Sequence, residues 1–402
     1  MKILLVSQYF PPEMGAPAAR AYENASRWVD MGHDVTVLCG VPNHPVGEIY
    51  DGYKNKPWQK EEVDGIKVVR TWVYPTPNRK AWERIVNYGS FGFSSLTGSI
   101  LIRKPDVIIG TSPQLLVALS SYMISEFKRV PFVFEVRDLW PETIEATGTT
   151  QNNFLIWTLR HLSDLLYRKA KQIVVVTNSF KDKIQKLGVN SGKIKIIPNG
   201  VDLELFKPSN DKNKKSNKWN EDFLVSYIGT LGECQGLSVV LKAAEKLEEF
   251  EDIHFLFVGE GAKKEQLKKK KRKKNLTNVE FLDKQPKSDI PKFLSFSNVS
   301  LVMLKKRKLF ESVIPSKMFE SMAMRNPVIL GAKGESRNIL NEADAGIAIE
   351  PENHSQLKDA ILKLYRNKRF GEKLGRNGRE YVKENYTRET FAKKYIKVLR
   401  EL

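Results

Sequence analysis

Short, continuous runs of Val, Ile, Leu and Phe recur along the whole chain, and helical patterns separate them. Runs such as Pro131–Val136 and Ile253–Gly259 show no alternation between apolar and polar residues. A strand of this kind is buried on both faces, as in a parallel sheet that helices cover on both sides. Helical patterns such as Ala18–Met31 and Phe154–Ala170 lie between the runs. The sequence therefore predicts an α/β fold with doubly wound parallel sheets.

The chain has 402 residues, enough for two or three domains, and the strand pattern is interrupted once. The interruption, Pro208–Asn220, contains no aliphatic side chain, which is typical of a polar linker or an exposed loop. The strands predicted before it are Lys2–Phe10, Asp34–Gly40, Ile66–Trp72, Asp106–Gly110, Pro131–Val136, Gln172–Thr177 and Lys193–Ile197. The strands predicted after it are Phe223–Gly229, Ile253–Gly259, Val279–Leu282, Val299–Leu304, Pro327–Gly331 and Gly346–Glu350. A second α/β domain therefore follows the first.

The chain is strongly basic. Lys and Arg number 66 and Asp and Glu 47, so the formal net charge is +19, and the excess is spread over both halves. A positive field favours anionic partners, such as nucleotides, nucleic acid or an anionic membrane face. The most basic run, Lys263–Lys274, contains nine Lys or Arg and one acid. Such a run is more often a solvated helix or loop, and a patch that binds a polyanion or lipid is the alternative.

Cysteine usage fits a reducing compartment, and hydropathy gives no sign of a membrane span. Cys39 and Cys234 are far apart and neither lies in a C-x-x-C pair, so the sequence predicts neither a disulfide nor a zinc site. The N-terminus has about seven apolar residues before Pro11, too few for a membrane span. The longest uncharged stretch, Ile85–Ile102, is about half Gly, Ser, Thr and Asn, which indicates a packed or interfacial helix.

Candidate site residues follow predicted strands, because ligands of open α/β sheets bind beyond the carboxyl ends of the strands. Gly15 lies between the first strand and a helix, where a small residue lets the backbone approach an anion. No G-x-G-x-x-G is present, so the dinucleotide fingerprint is absent. Arg137 and Asp138 follow another strand, and the alternative there is a structural Arg–carboxylate pair. His44 also follows a strand of this domain.

The second domain begins with a strand, a loop with three glycines and a helix over Tyr227–Leu237. Such a loop exposes backbone N–H groups to phosphate oxygens, and Gln235 adds an amide donor. Farther along, Lys317 and Glu320 are three residues apart on one helix face. A cation there suits a diphosphate and a carboxylate suits two ribose hydroxyls, while the alternative is a surface ion pair. No His, Cys and Asp cluster has the spacing of metal ligands, and no nucleophile elbow occurs.

With these segments the chain resembles glycosyltransferase family four, a retaining group with the GT-B fold. The resemblance covers nearly the whole chain and rests on MKILLVSQYFPPEMGAPAAR, PFVFEVRDLWPE, IIPNGVDLELFKP, YIGTLGECQGL, FLFVGEGAKKEQL, IPSKMFESMAMRNPVIL and NYTRETFAKKYIKVL. The segments VPNHPVGEIYDGY, RDLWPE and PSKMFE further resemble the subgroup that builds bacterial O-antigen and capsule repeat units, including fucosamine-type transferases.

The resemblance implies two facing Rossmann-like domains with a cleft between them. We expect an acceptor-side domain at 1–205, a linker at 206–221, a nucleotide-sugar-binding domain at 222–384, and a closing helix at about 385–402 that packs back on the first domain. The residues and the resemblance together predict donor binding by Gly15, Gly229, Gln235, Gly236, Ser316, Lys317 and Glu320, catalysis by Asp138 with Arg137 beside it, and acceptor binding by His44 and Trp140. Glu320 matches the second Glu of the family's paired-Glu motif.

Three positions depart from the family pattern. Ser312 replaces the first Glu of the paired motif, eight positions before Glu320, and Glu311 is one position off. Gln235 stands where many members carry a basic residue, and Leu304 stands where Pro is common. We therefore expect an altered contact to the sugar hydroxyls and a larger share of phosphate neutralisation by Lys317 or a helix N-terminus.

The resulting hypothesis is retaining sugar transfer from a UDP-linked nucleotide diphospho-sugar, without a cofactor or an essential metal. The expected acceptor is a glycan on polyprenyl diphosphate, and the expected location is the cytoplasm, on the inner face of the cytoplasmic membrane. The segment Arg79–Arg84 suits an anionic membrane interface, and a plain surface helix is the alternative. A sugar-nucleotide epimerase and a non-enzymatic polyanion-binding protein remain as rival functions, although no nucleic-acid-binding signature is present.

Overall fold

The computed structural model describes residues 1–13, 15–44, 46–77, 81–147, 152–208 and 222–402. Two units are distinguished by their internal contacts, the first formed by Met1–Pro198 with Glu389–Leu402 and the second by Asn199–Arg388. Most of the predicted linker, residues 209–221, lies outside the described residues, as do Arg79 and Lys80 of the basic segment. No helix in the described ranges is long and apolar enough to cross a membrane.

The first unit is built on a sheet with the strand order β3-β4-β2-β1-β5-β6-β7-β8. The strands are β1 (Lys2–Val6), β2 (Asp34–Gly40), β3 (Trp58–Val63), β4 (Ile66–Thr71), β5 (Val107–Thr111), β6 (Phe132–Val136), β7 (Gln172–Val175) and β8 (Ile194–Ile196). All neighbouring pairs are parallel except β3 and β4, which are antiparallel. The predicted parallel sheet is therefore confirmed, and its strands lie within one or two residues of the predicted bounds except at the carboxyl end of β1.

Two differences from the sequence prediction have physical causes. The edge strand β3 was not predicted because its sequence, WQKEEV, is charged and its residues are alternately exposed and half-buried. The first predicted strand, Lys2–Phe10, ends at Val6 because Ser7 turns the chain, its hydroxyl donating to the Tyr9 carbonyl at 3.0 Å. The residues from Ser7 to Phe10 are buried, which explains why they have the composition of a strand.

Helices cover both faces of the first sheet. They are α1 (Ala16–Asp30), α2 (Ala81–Ser99), α3 (Leu115–Lys128), α4 (Glu142–Thr147), α5 (Asn153–Lys169) and α6 (Asn178–Lys186). On one face Leu5 packs in a cluster with Trp28 of α1. On the other face Val6 packs with Phe91 of α2 and Val117 of α3. Burial on both faces explains why these strands are apolar at every position.

The second unit repeats the architecture with an entirely parallel sheet in the order β11-β10-β9-β12-β13-β14. Its strands are β9 (Phe223–Ile228), β10 (Ile253–Val258), β11 (Val279–Leu282), β12 (Val299–Met303), β13 (Val328–Gly331) and β14 (Gly346–Ile349). Its helices are α7 (Ser238–Glu245), α8 (Lys264–Lys273), α9 (Ile290–Phe296), α10 (Ser316–Ala323), α11 (Glu335–Glu342), α12 (His354–Arg366) and α13 (Lys368–Asn385).

The basic run Lys263–Lys274 forms most of α8, as the solvated-helix interpretation predicts. Its side chains are tied to the same unit: Lys274 contacts Glu245 at 2.5 Å, and Lys270 donates to the Ser238 hydroxyl at 2.8 Å. Lys264 is buried and bonds both Glu260 and Asp283. Part of the positive charge in this run is therefore neutralised locally.

The first unit ends at Pro198 rather than at residue 205, and the second extends to Arg388 rather than to 384. Val201 is buried, and its N–H donates to the Tyr386 carbonyl at 2.8 Å. Phe206 is buried in the same unit, and Arg379 donates to its carbonyl at 2.6 Å. These contacts attach residues 199–206 to the second unit, which the sequence pattern alone does not reveal.

The last helix, α14 (Arg388–Arg400), begins after a break at Asn385 and lies, from Glu389 onward, in the first unit. The Tyr395 ring packs edge-on against Trp28 of α1, with ring centroids 5.1 Å apart. Both rings are buried, and the Tyr395 hydroxyl has no hydrogen-bond partner among the described residues. Packing of the ring, and not its polar atom, therefore holds α14 in place.

We predict that Tyr395→Ala lowers the free energy of unfolding by about 3–5 kcal/mol, because it leaves a cavity against Trp28. Tyr395→Phe should leave stability unchanged or raise it by about 1 kcal/mol, because it removes a buried hydroxyl that bonds nothing. Guanidinium unfolding followed by tryptophan fluorescence measures both, with the exposed Lys393→Ala as control. If Tyr395→Phe lowers the free energy of unfolding as much as Tyr395→Ala, the hydroxyl rather than the ring holds α14.

Candidate functional site

The first group of candidate residues lies beyond the carboxyl ends of the neighbouring strands β5 and β6. Ser112 follows β5, and its hydroxyl accepts the backbone N–H of Arg137 at 2.9 Å and of Asp138 at 3.3 Å. The same hydroxyl lies 3.2 Å from the Asp138 carbonyl. Ser112 thus fixes the backbone on which both candidate side chains are carried. The sequence analysis did not identify Ser112, since an isolated Ser after a strand has no distinctive pattern.

Two arginines and one buried carboxylate form the electrostatic centre of this group. Arg20 of α1 pairs with Glu135 of β6 at 2.7 Å, and both side chains are nearly inaccessible to solvent. Burial raises the pKa of the Glu135 carboxyl, but Arg20 and Arg137 outweigh it, so the net shift is downward. Burial and the neighbouring Arg20 lower the pKa of the Arg137 guanidinium to about 10. Its buried Nε has no hydrogen-bond partner among the described residues. Glu135 bonds Arg20, and Arg137 therefore keeps hydrogen-bonding capacity for a ligand.

Asp138 is half-buried beside Arg137. Burial raises the pKa of its carboxyl, and Arg137 counteracts this. None of the hydrogen bonds and ion pairs of the described residues involves the Asp138 carboxylate. A desolvated carboxylate in this state can accept a hydrogen bond from a sugar hydroxyl or polarise one. Trp140, two residues on, is half-buried against the core of the first unit.

Gly15 lies immediately before α1 with φ 152°, on the left-handed side that favours glycine, and it is exposed. Its carbonyl begins the helix by accepting the Ala19 N–H at 3.0 Å. Pro17 follows in the first turn, where its missing N–H costs no intrahelical bond. The backbone at Gly15 is therefore accessible from solvent, and donor binding there stays a prediction.

His44 lies in a loop that a buried carboxylate holds in place. Glu13 accepts the backbone N–H groups of Asn43 and His44, each at 3.0 Å, and that of Phe10 at 3.3 Å. Burial raises the pKa of Glu13 to about 7, although these three hydrogen bonds oppose the shift. The His44 ring packs on Tyr9 at 4.9 Å between centroids. Glu13 is a positioning residue that the sequence does not reveal, because two of its three partners are backbone N–H groups about thirty residues away.

In the second unit the structure brings Gly229 and Lys317 together. Gly229 follows β9 with φ 136°, and a Cβ there would lie 2.6 Å from the Lys317 Nζ. Any larger residue would displace the lysine. Lys317 is on the first turn of α10, and its Nζ donates to the Tyr227 hydroxyl at 2.7 Å. The Nζ also lies 3.9 Å from the centroid of that ring. Tyr227, whose own hydroxyl donates to the Thr230 carbonyl at 2.8 Å, was not predicted.

The Lys317 amine is desolvated and forms no ion pair with the acids that the structure describes. Burial lowers the pKa of its amine to about 7, and Glu320 on the same helix opposes the shift. No carboxylate within the described ranges lies within ion-pair distance of its Nζ. A desolvated cation of this kind gains most from an anionic ligand, because the surroundings screen the attraction weakly. The arrangement is therefore suited to a phosphate group at the loop after β9.

The remainder of that loop is held by other contacts. The Gln235 Oε1 accepts the Gly232 N–H at 3.1 Å, which leaves the amide Nε2 as its donor. Gly236 has φ 60°, and the stem of Lys305 passes within 3.1 Å of where its Cβ would be. Glu233 binds Lys305 and, at 2.7 Å, Lys263. Hydrogen bonds from these two lysines lower the pKa of the Glu233 carboxyl to about 2. Neither lysine was predicted at this loop.

Glu320 and Ser316 both lie on α10, Ser316 at its exposed first position and Glu320 one turn later. Ser312, which replaces the first Glu of the paired motif, is buried, and its hydroxyl donates to the Leu309 carbonyl at 2.6 Å. A glutamate would not fit this position without rearrangement, whereas the adjacent Glu311 is exposed. The structure therefore presents a carboxylate at 311 rather than at 312.

No group of three or more His, Cys, Asp or Glu side chains suited to a metal ion occurs in the described part of the chain. The candidate residues are mostly cations, glycines and carboxylates, with the Gln235 amide as a further donor. This set of groups binds anions and hydroxyls, so the expected ligands are phosphates and sugars.

Two family models match the chain, and together they account for most of its length. The glycosyl transferase 4-like domain matches residues 15–200, and the glycosyl transferases group 1 domain matches residues 209–381. The putative colanic acid biosynthesis glycosyl transferase WcaI of Escherichia coli K12 is 25% identical over 416 residues, which span 100% of both chains. The first match contains every strand of the first sheet except β1, and the second match contains every strand of the second sheet.

Solved structures share the fold at low sequence identity. Sucrose-phosphate synthase from Thermosynechococcus elongatus has a TM-score of 0.81 and 17% identity, covering 100% of this chain and 98% of that one. Anabaena Alr3699/HepE in complex with UDP and glucose has a TM-score of 0.74 and 16% identity over 100% of both chains. The chain therefore belongs to the glycosyltransferases of GT-B fold, with a glycosyl transferase 4-like domain followed by a group 1 domain.

Proposed function

We propose that the protein is a retaining glycosyltransferase that moves a sugar from a UDP-linked donor to a lipid-linked glycan during synthesis of a bacterial cell-surface polysaccharide. The observation that carries the proposal is the desolvated Lys317 amine beside Gly229, which forms no ion pair with an acid among the described residues. A nucleoside diphosphate supplies an anion for this amine, and the glycine leaves room for the amine beside the loop after β9. The relationship to WcaI supports the polysaccharide, and the UDP complex of HepE supports the nucleotide.

The donor contacts follow from the chemistry of each residue. Lys317, the Gln235 Nε2 and the backbone N–H groups around Gly229 and Gly236 bind the diphosphate. The Glu320 carboxylate accepts hydrogen bonds from the two ribose hydroxyls. Glu311, in place of Ser312, is the carboxylate available to the hydroxyls of the transferred sugar. Transfer of a fucosamine-type sugar stays a prediction from the sequence.

The reaction breaks the bond between the sugar C1 and the diphosphate oxygen and forms a bond between C1 and an acceptor oxygen on the same face. The acceptor hydroxyl gives its proton to the departing phosphate, so the products are the glycosylated acceptor and UDP. Preorganised cations and N–H donors stabilise the charge that develops on the leaving group. Asp138 orients the sugar or acceptor through a hydrogen bond, with Arg137 opposing its protonation. No step requires a metal ion.

The first prediction concerns donor binding. Among UDP-, GDP-, ADP- and CMP-sugars tested with EDTA present, the UDP series should raise the melting temperature. Glu320→Ala should remove the shift, because the ribose then loses its acceptor. Glu249→Ala, a change of the same type at an exposed position before β10, serves as control. A shift with no nucleotide would argue against the donor assignment, and steeply salt-dependent binding to a polyanion would favour the rival function.

The second prediction concerns pH. Lys317 attracts the diphosphate only when its amine is protonated. The pKa of this amine is about 7 without ligand. UDP affinity measured by calorimetry should therefore fall by up to about tenfold per pH unit as the pH rises from 7 to 9. Lys317→Met should bind UDP weakly with a flat profile over this range, and the surface variant Lys268→Met should match the wild type. Parallel profiles for the wild type and Lys317→Met would contradict the role of Lys317.

The third prediction separates catalysis from donor binding. Asp138→Ala should lower the rate of UDP release by about 10²–10⁴, because the hydrogen bond acts on the reacting sugar or acceptor. The dissociation constant for UDP should stay within about twofold, since the donor contacts are elsewhere. Asp182→Ala, at an exposed position on α6, controls for loss of a carboxylate. Near-normal turnover in Asp138→Ala would exclude Asp138 from the reaction.

A further inference from the structure

Every exposed large apolar side chain that the structure describes lies in the first unit. Ten of these fifteen side chains are on α2, α3 and α5 or directly after α2. Single exposed apolar residues are ordinary, but their concentration on neighbouring helices is not. The most prominent, which we call the apolar face, are Trp82, Phe93, Met123, Phe127, Phe154 and Trp157.

The helix α2 shows that this exposure follows one face. Trp82, Phe93 and Ile100 are exposed at helical spacing, with Ile85 and Val86 between them. The opposite side of the helix is buried and includes Phe91. No charged residue occurs from Ile85 to Ile102. The outer face of α2 is therefore an uncharged apolar stripe that covers no core.

The helix α3 lies between α2 and α5 and joins their faces. Its close packing on α2 uses small residues: a Cβ on Gly92 would come within 3.3 Å of the Leu116 carbonyl oxygen. Met123 and Phe127, one turn apart, are exposed on α3. On α5 the exposed rings of Phe154 and Trp157 stack with centroids 6.1 Å apart. The exposed apolar groups thus lie on three helices packed side by side.

A cluster of cations lies at the carboxyl ends of the same helices. This basic rim consists of Arg103, Lys104, Lys128, Arg129, Arg168 and Lys169. Helices that connect parallel strands run opposite to them, so these ends share the amino edge of the sheet. Lys128 confirms the proximity, because its Nζ donates to the Ile102 carbonyl at 2.8 Å. Two acids lie near this rim: Asp106 accepts the Lys2 backbone N–H at 2.7 Å, and Glu126 is exposed on the last turn of α3.

We propose that the apolar face, with its basic rim, docks on an anionic lipid bilayer. Exposed aromatic and aliphatic side chains enter the boundary between headgroups and acyl chains, and Lys and Arg attract anionic headgroups. The rim favours a bilayer over a protein partner. A bilayer with anionic lipids presents negative charge across its whole surface, which complements a row of Lys and Arg side chains. The inference deepens the proposed function, on which it rests for the lipid-linked acceptor, but docking itself involves no sugar transfer.

Co-sedimentation of the full chain with vesicles tests the proposal. The wild type should bind vesicles of phosphatidylcholine with 30 mol% phosphatidylglycerol (about a third anionic) and bind pure phosphatidylcholine at least about tenfold more weakly. Phe93→Ser with Phe127→Ser should reduce binding at least about tenfold, since both side chains are exposed and neither supports the core. Unchanged binding in that double variant would overturn the apolar face.

Charge reversal provides a matched control within the chain. Arg103→Glu with Lys104→Glu alters the rim, and Arg272→Glu with Lys273→Glu makes the same change in net charge on the exposed basic helix α8. The rim variant should lose at least about tenfold in vesicle affinity, and the α8 variant should retain it. Equal losses would show attraction by net charge alone and overturn the assignment of the surface.

Two further measurements distinguish bilayer docking from self-association and from donor binding. Sedimentation velocity without vesicles should show the same mass for the wild type and the Phe93→Ser, Phe127→Ser variant. A dimer lost in that variant would identify a second copy, not a bilayer, as the occupant. The melting-temperature shift with UDP-sugars should be equal in all variants. If vesicle binding behaves as expected but no donor shifts the wild type, the docking surface stands and the proposed transfer fails.

Discussion

Burial of parallel strands on both faces is the constraint on which the rest of the structure depends. Leu5 and Val6 are adjacent in β1, yet each is buried in a different apolar cluster. A strand of this kind has no side that faces solvent, so ligand-binding groups are expected beyond the ends of the strands. Ser112, Arg137 and the glycines after β9 are all found there. The fold therefore fixes where a ligand can bind before any particular side chain is considered.

The chain distinguishes its cations by whether they have a partner. Glu135 holds Arg20, and Glu233 holds both Lys263 and Lys305. The Lys317 amine donates to the Tyr227 hydroxyl and lies against the face of that ring, and no acid of the described residues forms an ion pair with it. A ring face attracts a cation but does not neutralise it, and burial lowers the pKa of this amine to about 7. The net charge of +19 thus gives little information about function, whereas one unpaired cation beside a glycine is informative.

Most of the architecture could be predicted from the sequence because doubly buried strands are apolar at every position. The edge strand β3 could not, since its alternating charged residues resemble a loop. In the candidate site, residues that are adjacent in the sequence, such as Arg137 and Asp138, could be predicted as a pair. Contacts across the fold were not: ninety residues separate Tyr227 from Lys317, and only the parallel order of the sheet brings them together. Glu13 could not be predicted for a similar reason, because its partners include backbone N–H groups that are distant in the sequence.

The two units differ in the kind of surface they offer, and this difference follows from their helices. In the second unit the described helices bury their large apolar side chains, and even the basic run on α8 is partly paired by neighbouring acids. In the first unit, α2, α3 and α5 bury one side and leave large apolar groups on the other. Such exposure costs solubility and brings no stability, so its presence on one unit requires a reason apart from folding. The two units therefore differ in what their described residues offer: the second has a desolvated amine beside a glycine, and the first has exposed apolar helix faces.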